Sequence, residues 1–183
     1  MLQPGQLCNR SNEVIRITGS REAAFEATLG EAWSRYERHD YQIAMRRFNQ
    51  AWLLNSNDSE VFRGFACVLF ATGSKAESVE WDRKAAEIGN AKSQNNLAAA
   101  YFGGDGVSKD YKQAVEWYRK AAEQGHMMAQ YQLGVAYEEG KGVERNLAEA
   151  VNWYQRAAQQ GYIDAKKRLL KLKLKNILAP QSR

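Results

Sequence analysis

The stretch AVEWYRKAAEQG at residues 114–125 recurs thirty-six residues later as AVNWYQRAAQQG, and thirty-six residues earlier the chain reads SVEWDRKAAEIG. Windows 78–89 and 114–125 share nine identities and windows 114–125 and 150–161 share eight, with Trp81, Trp117 and Trp153 marking the period. Self-similarity at a fixed period of this length is the signature of stacked supersecondary units, none of which buries its apolar face alone. No copy carries a reactive group that the others lack, so the repetition reads as architecture rather than chemistry.

Within one unit Ala114, Val115, Trp117, Tyr118, Ala121 and Ala122 recur at helical spacing and line one side of a helix. Gly125 is placed to stop it in a left-handed conformation. Upstream, Leu97, Ala98 and Tyr101 repeat as Leu133, Gly134 and Tyr137, a second and shorter helical stripe. Glycine-dense turns at 103–107 and 139–143 separate the stripes, so each unit reads helix, glycine turn, helix. Small residues at Ala98, Gly134, Ala114 and Ala150 mark places where two helix axes approach closely. The tryptophans and tyrosines supply area that one hairpin cannot bury, and each copy is expected to act as the lid of the next.

Composition narrows the class. A 44% hydrophobic content with a mean hydropathy of -0.63 describes a folded, water-soluble chain. Apolar runs fall far short of the roughly 18 residues that a membrane span needs. Residues 1–6 lack a basic segment leading into an apolar one, so a cytoplasmic location is expected for the chain as it stands, and a periplasmic or envelope-associated one if a signal was removed. The net charge of +5 is unevenly placed: residues 165–183 carry +7 and no acid, which leaves -2 for residues 1–164. The repeated body is therefore near neutral, and nucleic acid is an unexpected partner for it. Cys8 and Cys67 match no paired motif and are expected to be reduced, with Cys67 packed as a small apolar residue.

The pattern Ala129-x3-Leu133-Gly134-x2-Tyr137-x2-Gly140-x-Gly142-Val143-x6-Ala150-x2-Trp153-Tyr154-x2-Ala157-Ala158-x2-Gly161 resembles the Sel1-like repeat. Residues 93–125 resemble it too, with Ser93 and Ala98 in place of the usual alanine and glycine. Earlier, Tyr41, Ala44, Phe48 and Ala51, followed by Asn55-Ser56-Asn57-Asp58, resemble a degenerate tetratricopeptide repeat. Residues 59–92 share that spacing through Ala66, Gly73, Ser78 and Ala85, and run into a Sel1-like ending. The resemblance implies an all-α, right-handed α-solenoid of antiparallel hairpins. Its expected divisions are a segment at 1–24 of unassigned structure, two tetratricopeptide-like hairpins at 25–92, two Sel1-like hairpins at 93–161, and a basic capping helix and tail at 162–183. Val14, Ile15 and Ile17 suit either a short extended piece or a segment docked on the first hairpin. An array without a cysteine pair in each repeat resembles bacterial members of the family.

Reactive constellations are not evident. His39 and His126 read as residues of equivalent surface turns with no partner nearby in sequence. The turn Gly103-Gly104-Asp105-Gly106-Val107-Ser108-Lys109 lacks the order of a phosphate-binding loop. Glu138 and Glu139 form no evident acid/base pair. No enzyme, metal site or cofactor is expected.

The resemblance implies instead a concave surface lined by the first helices. Inward positions of the tetratricopeptide pattern fall on Glu26, Leu29, Trp33 and Tyr36, then on Glu60, Arg63, Cys67 and Phe70. They continue at Asn95, Ala99 and Phe102, at Met128, Tyr131, Val135 and Glu138, and at Lys167, Lys171 and Leu174. The partner-binding set expected from these is Trp33, Tyr36, Arg63, Phe70, Asn95, Phe102, Tyr131, Glu138, Lys167 and Lys171, since aromatics and arginine anchor interfaces and asparagine can hold a peptide backbone. The same aromatics could equally fill the space between helices. The expected function is a non-catalytic scaffold or adaptor for a protein or peptide, acting as a monomer or weak dimer. An immunity-type inhibitor of one toxin or effector is the first alternative. A membrane-surface or nucleic-acid tether through the basic tail is the second, and salt would separate it from the others. In that tail Leu170, Leu174, Ile177 and Leu178 form a helical stripe with Leu169 and Leu172 alongside, read as the packing face of a cap with a polar outer surface.

Overall fold

The structure, a computed structural model, describes residues 20–178, with side chains described up to Leu174. Val14, Ile15, Ile17 and Cys8 lie outside the described residues. Every described element is a helix: α1 (Arg21–Glu37), α2 (Tyr41–Leu54), α3 (Ser59–Ala71), α4 (Lys75–Glu87), α5 (Ala91–Gly103), α6 (Tyr111–Glu123), α7 (Met127–Glu139), α8 (Leu147–Gln159) and α9 (Ile163–Leu178). The chain divides into two compact units, 1–90 and 91–183. Each is a stack of antiparallel hairpins, the class the repeat predicts.

In the first unit α1 pairs with α2 and α3 with α4, and the hairpins meet through α2 and α3. Ser20 caps α1, its Oγ accepting from Ala23 N at 3.0 Å, and Asp58 caps α3 by accepting from Glu60 N and Val61 N. Bulky side chains fill the interior: Phe48 and Val61 are fully enclosed, and Phe25, Phe62 and Phe65 are buried around them. Gly64 lets α3 approach α2, because a Cβ there would run into the Phe48 ring.

In the second unit α5 pairs with α6, α7 with α8, and α9 closes against α8. Ala98, Ala114 and Ala150 are fully buried, and a Cβ on Gly134 would sit 2.6 Å from the Tyr154 ring, so the small residues do mark close approach. Gly125 adopts φ 89 after α6. The longer turns are also packing elements. Gly142, at φ 75, leaves no room for a side chain against the backbone of Tyr111 in the preceding hairpin.

The lid expectation is met in part. Trp153 joins the cluster containing Val115 and Tyr118 of the preceding hairpin. Trp81 instead lies against Phe62 and Phe65 of its own hairpin, with ring centroids 5.6 and 4.8 Å apart. The histidine turns are not equivalent. His39 sits inside the first hairpin at φ 61, its Nδ1 2.9 Å from Tyr41 Oη. His126 lies between hairpins and caps α7, accepting from Ala129 N through Nδ1. The difference follows from where each falls in the repeat: His39 is within a unit, His126 at the junction of two.

Candidate partner-binding faces

In the first unit the predicted residues are largely occupied with holding α1 and α3 together. The Arg63 guanidinium lies 3.9 Å above the Trp33 ring, and its Nη2 reaches Glu60 Oε2 at 2.6 Å. Asn90 Nδ2 donates to the other Glu60 oxygen at 2.8 Å. Only 14% of the Arg63 side chain is exposed. Trp33 also packs edge-on against Phe48, 4.9 Å away, and against Tyr36. Cys67 is a free thiol beside Arg63. Burial pushes its pKa up, and the guanidinium offsets this only partly, so the thiol stays protonated at neutral pH. Tyr36 is raised by burial first and by Cys67 next. Phe70 alone is open, 58% exposed, with Lys75 Nζ 5.9 Å from its ring.

In the second unit the side chains separate into two roles. Glu138 is committed internally: its Oε2 accepts from Tyr154 Oη at 2.7 Å and from Arg168 Nε at 2.8 Å. Burial would raise its pKa, but those two hydrogen bonds and the charges of Arg168 and Lys171 outweigh burial and hold it below the usual carboxylate range. Tyr154 and Arg168 are both raised, Tyr154 by burial first and Arg168 by its bond to Glu138. This triad pins α9 to α7 and α8. Tyr131 packs between Tyr154 and Tyr162, with centroids 5.5 and 5.2 Å away. Phe102 turns into its own hairpin, 4.9 Å from Tyr111 and 6.4 Å from Tyr118.

Asn95 is different. It is 7% exposed, yet its Oδ1 has no hydrogen-bond partner, and its Nδ2 only approaches Met128 Sδ at 3.9 Å. Met128 is 43% exposed. Lys167 and Lys171 project from α9 into solvent, Lys167 with a loose contact to Asp164 at 3.4 Å.

Sequence reasoning missed a polar device that the period itself carries. Gln124 Nε2 donates to Gln94 Oε1 at 2.7 Å, and thirty-six residues on Gln160 Nε2 donates to Gln130 Oε1 at 2.8 Å. Gln130 Nε2 in turn donates to the Ala122 carbonyl of the preceding hairpin. The spacing of these four glutamines was the signal. Among the described residues no three His, Cys, Asp or Glu side chains gather as a metal site, and no helix is long and apolar enough to cross a membrane. The faces offer hydrogen-bonding groups, apolar side chains and lysines.

Stacked hairpins with these faces define a helical repeat protein. A sequence model of the Sel1 repeat matches residues 91–126 and 128–162. A Sel1 repeat protein from Oxalobacter formigenes is 36% identical over 64% of this chain and 91% of its own, with a TM-score of 0.60. A protective antigen of uropathogenic Escherichia coli strains, displaying an SLR fold, is 29% identical over 92% of this chain, which spans 36% of the antigen, with a TM-score of 0.73. Cysteine-rich protein B of Helicobacter pylori is 26% identical over 71% of this chain and 95% of its own, with a TM-score of 0.57. No curated protein sequence matches. The chain belongs to the Sel1-repeat proteins, a family of typically non-catalytic solenoids that commonly serve as protein–protein interaction scaffolds.

Proposed function

We propose that this chain is a non-catalytic scaffold that binds an extended segment of a partner protein along the first-helix side of its second unit, with Asn95 holding the segment's backbone. The observation that carries this reading is the unanswered Asn95 carbonyl. A buried acceptor without a partner costs about 1–3 kcal/mol, a strain that a peptide N–H would relieve. The exposed Met128 beside it offers a soft apolar contact that adapts to different side chains. Lys167 and Lys171, on the next first-position helix, suit a partner with acidic residues or a free carboxylate. Arg63, Trp33 and Tyr36 support the first unit's packing rather than this site.

The test is to pan a random-peptide display library on the full chain and to measure the enriched peptides by calorimetry against the protein and its Asn95→Leu variant. Binding is expected to weaken about tenfold, the equivalent of one good hydrogen bond. The variant should also resist urea better than the parent, because the orphaned acceptor is gone. Equal affinity for both proteins would contradict the reading, as would a library that yields no binder.

A further inference from the structure

The helix α9 packs the face opposite to the one its sequence advertises. Ala165 is fully buried and Leu169 and Leu172 are half-buried against the Tyr154 cluster, while Leu170 and Leu174 are 59% and 48% exposed. Ile163 lies on the same exposed side. At 100° per residue Ile163, Leu170 and Leu174 fall within a narrow stripe, with Lys166 and Lys173 on one flank and Lys167 and Lys171 on the other. All four lysines are exposed, and the one acid of the stretch, Asp164, is already beside Lys167. An end cap is expected to turn a polar face outward, and this one does not.

The repeat shows what the stripe is shaped for. Ala165 and Leu169 stand thirty-six residues after Ala129 and Leu133, so α9 is the first helix of a hairpin whose second helix is not among the described elements. Leu170 occupies the place of Gly134 and Leu174 that of Glu138. In α7 both places are covered by the second helix: the Tyr154 ring lies on Gly134, and the Tyr154 hydroxyl bonds Glu138. Nor does α9 break at the position where α7 does. Where α7 ends at Gly140 in the left-handed region, α9 continues as helix through Asn176.

We propose that the outer stripe of α9 docks an acidic amphipathic helix of a partner protein, which takes the place of the second helix of that hairpin. Leucine-type side chains of the partner cover Leu170 and Leu174, and carboxylates on both its flanks meet Lys166, Lys173, Lys167 and Lys171. The match to a position that receives a helix in the preceding hairpin favours a helix over a flat lipid surface. The lysines disfavour a second copy of α9 itself, since like charges would face each other. This site shares Lys167 and Lys171 with the Asn95 face, while Leu170, Leu174, Lys166 and Lys173 belong to it alone.

The experiment uses a fluorescein-labelled synthetic helix of about four turns, leucine on one face and glutamate on its flanks, added to the full chain in an anisotropy titration. Binding is expected, weakening with added salt, and falling at least about tenfold in Leu170→Ser/Leu174→Ser and in Lys166→Glu/Lys173→Glu. Both changes fall on exposed side chains, and circular dichroism checks that the variants remain folded. A scrambled peptide of the same composition should not bind, and Asn95→Leu should bind the probe as the parent does. Equal binding of the scrambled peptide, unchanged affinity in the α9 variants, or sedimentation with phosphatidylserine vesicles in place of peptide binding would overturn the proposal. So would self-association of the free chain that is lost in the Leu170→Ser/Leu174→Ser variant.

Discussion

The two units keep the same hairpin register but hold it by different means. The first turns its hairpins in three residues, 38–40 and 72–74, and fills the interior with Phe48, Phe62, Phe65 and Leu54. The second uses turns of seven residues, 104–110 and 140–146, and brings its helices together over alanine and glycine. Its contacts come from tyrosines, paired glutamines and turn backbone, with Asp110 N donating to the Tyr101 carbonyl and Asn146 N to that of Tyr137. Cross-helix volume fills most of the first unit, with a close approach at Gly64, whereas close approach over small residues and packed turns holds the second. The first should therefore be most sensitive to removing side-chain atoms, and the second to adding them.

Truncation in the first unit should give the largest effect. Phe48→Ala removes a fully enclosed ring that touches Trp33 and Phe65, and should cost about 3–5 kcal/mol in urea unfolding. A loss below about 1 kcal/mol would mean that the first unit is not held by that ring. The middle test applies one substitution to both units. Gly134→Ala drives a methyl group into Tyr154 and should destabilise by about 1–3 kcal/mol. Gly30→Ala, in the interior of α1 with nothing near its Cβ, should stabilise by about 1 kcal/mol through helix propensity. Like signs for the pair would break the comparison.

The smallest effect belongs to His126. Burial, and then the charge of Lys92, lower its pKa from 6.5, and its Nδ1 must be unprotonated to accept from Ala129 N. The unfolded chain therefore takes up the proton first. Stability from this group is present above pH 6.5 and is lost as pH falls through the lowered value. His126→Asn keeps an acceptor at the cap and should flatten that slope between neutral and mildly acidic pH, measured as urea midpoints. A slope unchanged by the substitution would show that His126 is not its source.

What repeats was legible in the sequence, and what joins distant residues was not. The positions of Ala114, Ala150, Gly125 and Gly134 could be read because each is one instance of a period. The triad of Glu138, Tyr154 and Arg168 spans 30 residues and occurs once, so no spacing announced it. Arg63 on Trp33 is equally singular, which is why two expected anchors turned out to brace the first unit. The direction of α9 was misread for another reason. Its closely spaced leucines allow two apolar faces, and the choice lay in the thirty-six-residue register of Ala165 with Ala129, where periodicity within the helix could not decide.

The proposed partner-binding face of the second unit is built around the unsatisfied Asn95 acceptor. The most direct measurement is a titration of the isotope-labelled chain with a library-selected peptide, followed by amide resonances. The Asn95 side-chain amide is expected to shift, together with backbone signals around Met128 and Lys167, while those of Trp117 and Trp153 stay in place. Shifts confined to α6 and α8, with Asn95 unmoved, would contradict it.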